Sequence, residues 1–200
     1  MSAVIKSLPQ VNLVEDLRRL QSEQFDHDET YHREIARLSF HHRMNHMALH
    51  FSKYVGQIEK ARLNNDYALL NKTIIDAAII SLSSANILNI PLWKILEHKD
   101  IWNWADCLKA ADKLSDIVLP ISEDLGWYSS SMMILSGNLA KACESLDHVE
   151  DFPFRKEMSK SVEAIFFASV IAADQQNLDV PREIRSRLMS VKEKWIYHGE

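Results

Sequence analysis

The sequence predicts an all-α protein, in which one helical bundle is built from two helical hairpins. The 200 residues include only 4 glycines and 5 prolines, so residues that interrupt helices are rare. Apolar residues recur every three or four positions, as they do on helices buried along one face. Two segments in opposite halves of the chain share one pattern of apolar and polar residues, which favours a repeated hairpin in a single domain covering residues 1–200.

The first predicted helix is amphipathic and has apolar residues at helical spacing from residue 11 to residue 20. We expect it to end before Asp26, where a polar run begins. A second helix is predicted at residues 29–39. A third follows the apolar stripe from Met44 to Ile58.

The fourth predicted helix runs from Tyr67 to Leu88, after a break at residues 64–66 that are Asn, Asn and Asp. Its residues are apolar almost all round, which predicts a helix buried between neighbours. Pro91 then starts a new segment.

The second half of the chain repeats this layout. Residues 132–147 align without gaps to residues 44–59, and residues 163–181 align to 73–91, with the exit "QNLDVP" against "NILNIP". We therefore predict a first repeat at about residues 27–99, a connector at 100–120 and a second repeat at about 121–200. One hairpin cannot bury both faces of its central helix, so the two hairpins should pack as a four-helix core.

The charge and the cysteines narrow the classes of function. A net charge of −5 argues against a nucleic-acid or membrane partner. The longest apolar runs are far shorter than a membrane span, no leader is evident, and Cys107 and Cys143 lack metal or redox spacing. These features predict a cytoplasmic protein.

The segments "FHHRMNHMALHFSKYVGQIEKA" and "LLNKTIIDAAIISLSSANILNIP" resemble the MazG-like all-α nucleoside triphosphate pyrophosphohydrolases. In that family, four carboxylates on two helices hold Mg²⁺, which activates a water at the triphosphate. Hard cations require such oxygen ligands, and positions three or four apart share one helical face.

Most of the family's ligands are absent here. The resemblance places the acidic positions on Lys53 or Tyr54, on Gln57, on Thr73 and on Asp76, of which only Asp76 is acidic. In the second repeat they fall on Lys141 or Ala142, on Ser145, on Glu163 and on Phe166, of which only Glu163 is acidic.

Asp76 therefore has two interpretations. It is a remaining ligand of the site, or a structural residue paired with a helix-end amide or with a Lys or Arg of a neighbouring helix. A composite metal site of Asp76 and Glu163 is a further hypothesis.

Six of the nine histidines lie between His27 and His50, and three of them, His42, His46 and His50, are four residues apart on one helical face. The stripe has three interpretations, namely a polar face lining a crevice or solvent, a transition-metal site, or a phosphate-contacting strip that includes Lys53.

The resulting functional hypothesis is a catalytically degenerate MazG-like protein with a ligand in a helical crevice. The ligand is a nucleotide, another phosphorylated small molecule or a partner, and a homodimer is left open. The predicted ligand-binding residues are His46, His50, Lys53, Tyr54, Gln57, Lys72, Thr73 and Asp76. One alternative is a hydrolase with a rearranged site, the only case in which Mg²⁺ is expected as cofactor. The other is a non-enzymatic dimerising scaffold or regulatory protein.

Overall fold

A computed structural model describes residues 13–96, 104 and 120–198, and within these residues the fold is all-α with no strand. The all-α prediction is therefore confirmed. The helices are α1 (Leu13–Tyr31), α2 (Arg33–Ala36), α3 (Phe40–Leu63), α4 (Tyr67–Leu88), α5 (Gly126–Asp147), α6 (Phe154–Gln175) and α7 (Val180–His198), with a 3₁₀ turn at Leu92–Ile95.

Four helices form the centre of the molecule. We call α3 with α4 the first hairpin and α5 with α6 the second hairpin. Across the core α3 packs on α5 and α4 packs on α6, so the two hairpins form the predicted four-helix core. Residues 164–173 of α6 are all buried, and their Phe166 and Phe167 rings lie in the interior. The origin of the two hairpins as a repeat stays a prediction.

The ends of the first hairpin's helices follow from short polar residues. The Asp66 side chain accepts a hydrogen bond from the Leu69 amide at 3.0 Å and caps the start of α4. Asn65 and Asn89 have φ angles of 54° and 53°, the left-handed region that Asn tolerates better than most residues. The predicted break at 64–66 and the predicted bounds of α4 are thus confirmed.

The predictions for the first two helices were partly wrong. α1 does not end before Asp26 but continues to Tyr31, and α2 covers only Arg33–Ala36 instead of residues 29–39. The reason is that the buried face of α1 changes from apolar to polar residues without losing its helical spacing. Leu17 and Leu20 are followed on that face by three buried polar side chains, Gln21, Gln24 and His27.

Gln21 fastens α1 to the end of the first hairpin. Its Nε2 donates to the Ile90 carbonyl at 2.6 Å, and its Oε1 accepts from the Leu92 amide at 3.1 Å. Its own carbonyl accepts from Asn86 Nδ2 at 3.0 Å. Because α1 also packs on α4 and α7, it forms a fixed wall beside the core.

Among the described residues, α4 is the one helix with the length and apolar composition to cross a membrane. Of its most apolar stretch, 67% is buried inside the fold, which is typical of the core helix of a soluble protein. Apart from residues 104 and 120, the predicted connector at 100–120 lies outside the described residues.

Candidate functional site

A cavity of about 360 Å³ lies beside the first hairpin, and we call it the main cavity. α3 and α4 form its floor, while α1, α2 and α7 contribute the other walls. Its charged lining residues are Asp28, Arg43, Lys53, Lys72, Asp76 and Arg187. The crevice expected from the sequence therefore exists, and helices from both ends of the chain enclose it.

The structure brings seven of the eight predicted ligand-binding residues to this cavity. His46, His50, Lys53, Tyr54 and Gln57 reach it from α3, and Lys72 and Asp76 reach it from α4.

The eighth residue, Thr73, does not line the cavity. It is buried, and its hydroxyl donates to the Leu69 carbonyl at 2.7 Å within α4. Its helical position turns it into the packed interior, away from the other predicted ligand-binding residues.

Asp76 forms an ion pair with Arg187 of α7. Arg187 Nε lies 2.8 Å from Asp76 Oδ1, and Arg187 Nη2 lies 3.3 Å from Asp76 Oδ2. The Asp76 side chain is 17% exposed and that of Arg187 is 31% exposed, so the pair is partly shielded from water. Of the two interpretations of Asp76, this contact favours the structural one, with an Arg of a neighbouring helix as partner.

Positive charge exceeds negative charge on the wall of the main cavity. The described lining residues include two carboxylates, Asp28 and Asp76, against four permanent cations, Arg43, Lys53, Lys72 and Arg187. Of these cations only Arg187 forms an ion pair with a carboxylate within the described residues. A chain of net charge −5 thus concentrates cations in one partly enclosed space, an arrangement that attracts anions.

The predicted histidine stripe is divided between two environments. His46 and His50 lie in the cavity with their Nε2 atoms 3.1 Å apart. His42 is exposed and bonds through Nδ1 to the Ser39 hydroxyl at 2.8 Å. The three histidines therefore do not form one site.

His50 is held neutral near pH 7. Burial lowers its pKa to about 4, and the charges of Lys53, His46 and His32 act in the same direction, while Asp76 opposes them. Its Nδ1 lies 3.3 Å from both Tyr54 Oη and Lys53 Nζ. The Nδ1 atom of the neutral imidazole can accept a hydrogen bond from the Tyr54 hydroxyl or from the Lys53 ammonium group. Such a bond holds the donor side chain next to His50.

Sequence reasoning missed the residues that α1 and the α1–α2 linker contribute. These are Gln24, His27, Asp28 and His32, which face the histidines of α3 across the cavity. The usable signal was the helical spacing of Gln21, Gln24 and His27 after Leu20. Apolar periodicity does not reveal this signal, because the residues that continue the buried face of α1 are polar.

Several buried polar atoms of the cavity wall have no partner within the described residues. They are Gln24 Oε1, Arg43 Nε and the His27 ring nitrogens, which the Leu188 backbone approaches without completing a hydrogen bond of ordinary geometry. Buried polar atoms are almost always satisfied in folded proteins. The three residues lie on α1 and α3, which form two sides of the main cavity.

Glu163 does not line the main cavity. It lines a separate, shallow groove of about 680 Å³ at the start of α6, formed by residues between 152 and 163. Asp76 does not line that groove, so the two carboxylates of the proposed composite metal site lie in different pockets. Burial raises the pKa of the Glu163 carboxyl, which favours its neutral form.

No family model matches the chain, and no curated protein or solved structure is significantly similar to it. The likeness to the MazG-like pyrophosphohydrolases therefore stays a prediction from the two quoted segments.

Proposed function

We propose that the protein binds a small phosphorylated ligand, such as a nucleotide, in the main cavity, and that it does so without magnesium-dependent hydrolysis. The observation that carries this proposal is the excess of cations on the cavity wall of an acidic chain. Lys53 and Lys72 extend from adjacent helices and have no carboxylate partner within the described residues. Both ammonium groups are therefore available to a phosphate.

The other walls of the cavity favour a ligand that also has an apolar part. Ile79 and Ile80 of α4 face Leu188 and Val191 of α7 across it. A volume of about 360 Å³ lies within the usual range for small-molecule sites. A nucleotide or another phosphorylated organic molecule fits this combination better than free phosphate does.

The same residues argue against a magnesium site of the MazG-like kind. Of the positions matched to the family's ligands in the first hairpin, Asp76 alone is a carboxylate, and both of its oxygens contact Arg187. Mg²⁺ prefers several oxygen ligands in near-octahedral geometry. We therefore favour a binding protein over a pyrophosphohydrolase, acting in the cytoplasm as the sequence predicts.

Thermal melts with and without nucleotides test the proposal. We expect nucleoside di- and triphosphates to raise the melting temperature both with Mg²⁺ and with EDTA, because binding to the folded state stabilises it. Lys53→Gln should weaken nucleotide binding by about tenfold, the loss of one charge-assisted contact. Lys60→Gln is the matched control, since Lys60 lies on the same helix and is exposed.

Two results would contradict the proposal. Metal-dependent release of pyrophosphate that is lost in Asp76→Ala would establish the hydrolase alternative. If no nucleotide, phosphorylated sugar or pyrophosphate shifted the melt, the scaffold or regulatory alternative would be favoured instead.

A further inference from the structure

His27, Asp28 and His32 form a compact cluster on the wall of the main cavity that α1 contributes. One possible ligand atom from each residue lies within 4.8 Å of those of the other two. His27 and Asp28 belong to α1, and His32 lies in the linker between α1 and α2. Two imidazoles and a carboxylate are a ligand set that zinc and similar transition metals accept.

His27 is a buried member of the cluster, and its ring lacks a hydrogen-bond partner of ordinary geometry within the described residues. It is only 8% exposed, and neither ring nitrogen makes a hydrogen bond of ordinary geometry. A buried imidazole with an unused ring nitrogen beside a cavity can bind a metal through that nitrogen.

Two hydrogen bonds hold the Asp28 carboxylate in place. Its Oδ1 accepts from Gln24 Nε2 at 2.8 Å, and its Oδ2 accepts from the Ser83 hydroxyl at 2.6 Å. Each carboxylate oxygen has a second lone pair, so these bonds leave room for coordination. Hydrogen bonds of this kind fix ligand orientation in metal sites.

The cluster needs a small contraction to hold a metal. Ligands bonded to zinc at about 2.0–2.1 Å in a tetrahedron lie about 3.3 Å apart. His32 can supply the movement, because it is half-buried, has a non-helical backbone and belongs to neither helix. Its Nδ1 lies 4.0 Å from the exposed Glu34 carboxylate, which could orient the ring in the bound state.

We propose that His27, Asp28 and His32 bind one divalent transition metal of the zinc type, whose remaining coordination position opens into the main cavity. Three protein ligands with one open position leave a place for water or a phosphate oxygen. This site differs from the carboxylate positions matched to the MazG-like family, and it needs no phosphorylated ligand to bind the metal.

The test is a titration of the chelator-treated full chain with Co²⁺ alone, followed by visible absorption, with Zn²⁺ as competitor. We expect one equivalent to bind with the intense absorption of four-coordinate Co²⁺ and to be displaced by Zn²⁺. His32→Ala should weaken binding by more than tenfold, and Ser83→Ala, which removes a bond to Asp28, should weaken it up to about tenfold. His42→Ala is the matched control, because His42 lies outside the cavity. This variant should bind Co²⁺ as tightly as the wild-type chain.

The proposal is overturned if the wild-type chain binds no Co²⁺, or if His32→Ala binds it as tightly as wild type. It is also overturned if His46→Ala abolishes binding while His32→Ala does not, because the metal would then lie at the other histidine pair. Melts of each variant in EDTA establish that it is folded. Nucleotide binding in EDTA is a separate measurement, so failure of the metal site leaves the proposed function standing.

Discussion

The two hairpins pack on each other in one core but differ at the edges that the sequence alignment matches. In the first hairpin, Asp76 of α4 points to a cavity and pairs with Arg187 of α7. At the matched position of the second hairpin, Phe166 of α6 is completely buried in the core. The matched residues of α3 and α5 differ likewise, because Gln57 lines the cavity while Ser145 is buried and donates to Glu150 at 3.0 Å.

Positions that the sequence alignment matches thus border a polar cavity in one hairpin and an apolar core in the other. In the first hairpin, α1 and α7 cover the polar edge and leave a space between the helices. In the second hairpin, an aromatic ring fills the matched position. The chemistry of the site thus depends on what covers the hairpin as much as on the hairpin itself.

The largest expected effect tests the apolar side of the comparison. Phe166→Ala removes a fully buried ring from α6 and should lower the free energy of unfolding by about 3–5 kcal/mol. Urea denaturation measures this change. Met133→Ala on α5, where the side chain is 48% exposed, is the control and should cost less than about 1 kcal/mol. Similar losses in both variants would mean that Phe166 is not the core residue described above.

A smaller effect tests the polar side. Asp76→Asn leaves Arg187 without its partner in a partly shielded site and should lower the free energy of unfolding by about 1–3 kcal/mol. The same substitution removes a negative charge from the cavity wall and frees Arg187 for a phosphate. Thermal melts should therefore show a lower melting temperature without ligand and a larger shift with pyrophosphate.

The control for Asp76→Asn is Glu144→Gln, which breaks the exposed pair with Lys141 on the second hairpin. Exposed pairs contribute little, so this change should cost less than about 0.5 kcal/mol. If Asp76→Asn were stabilising and also weakened pyrophosphate binding, Asp76 would be a ligand-binding residue and not a structural one.

The smallest effect is a difference in pH dependence between the hairpins. Burial lowers the pKa of His50 from 6.5 to about 4, so between these values the unfolded chain binds more protons and stability rises with pH. Burial raises the pKa of Glu163 above 4.5. Between pH 4.5 and this raised pKa, the folded chain binds more protons than the unfolded chain. Stability therefore falls as pH rises through the pKa of Glu163 in the folded state.

Urea denaturation across this pH range separates the two residues. The full shift of the His50 pKa corresponds to about 3 kcal/mol, but His50 is only half-buried and solvent screens part of this. His50→Gln should therefore reduce the rise in stability with pH by about 1 kcal/mol over the window. The lowered pKa of His27 should leave part of the rise in place. Glu163→Gln should increase stability above pH 4.5 by a few tenths of a kcal/mol and change little below it. If His50 and Glu163 changed the free energy of unfolding with pH in the same direction, burial would not be the cause of both pKa shifts.

Much of the fold could be predicted because its signals are local. The caps at Asp66 and Asn89 define α4, and its apolar composition predicts its burial. The end of α1 could not be predicted from apolar periodicity, because its last turns bury polar side chains such as Gln24 and His27. Such burial is favourable only when distant parts of the chain form the cavity that these residues line.

Only the part of the candidate site that α3 and α4 contribute could be predicted from the sequence. The residues on α3 and α4 are close in sequence and share helical faces, so seven of the eight predicted positions do line the cavity. The partner of Asp76 lies 111 residues away at Arg187, a distance over which no local pattern operates. Thr73 points away from the cavity because the resemblance assigns only a helix position, while packing decides which side of the helix faces the cavity.

Hydrogen exchange of the Leu92 amide can report the movement of α1, because this amide is bonded to the Gln21 side chain. The buried Leu92 amide donates to the Gln21 side chain of α1 and not to a backbone carbonyl of its own helix. Its hydrogen can exchange with deuterated solvent only when α1 separates from the end of α4. The exchange rate at this single position therefore measures how often the α1 wall leaves the core, and a ligand that contacts both α1 and α4 should slow it.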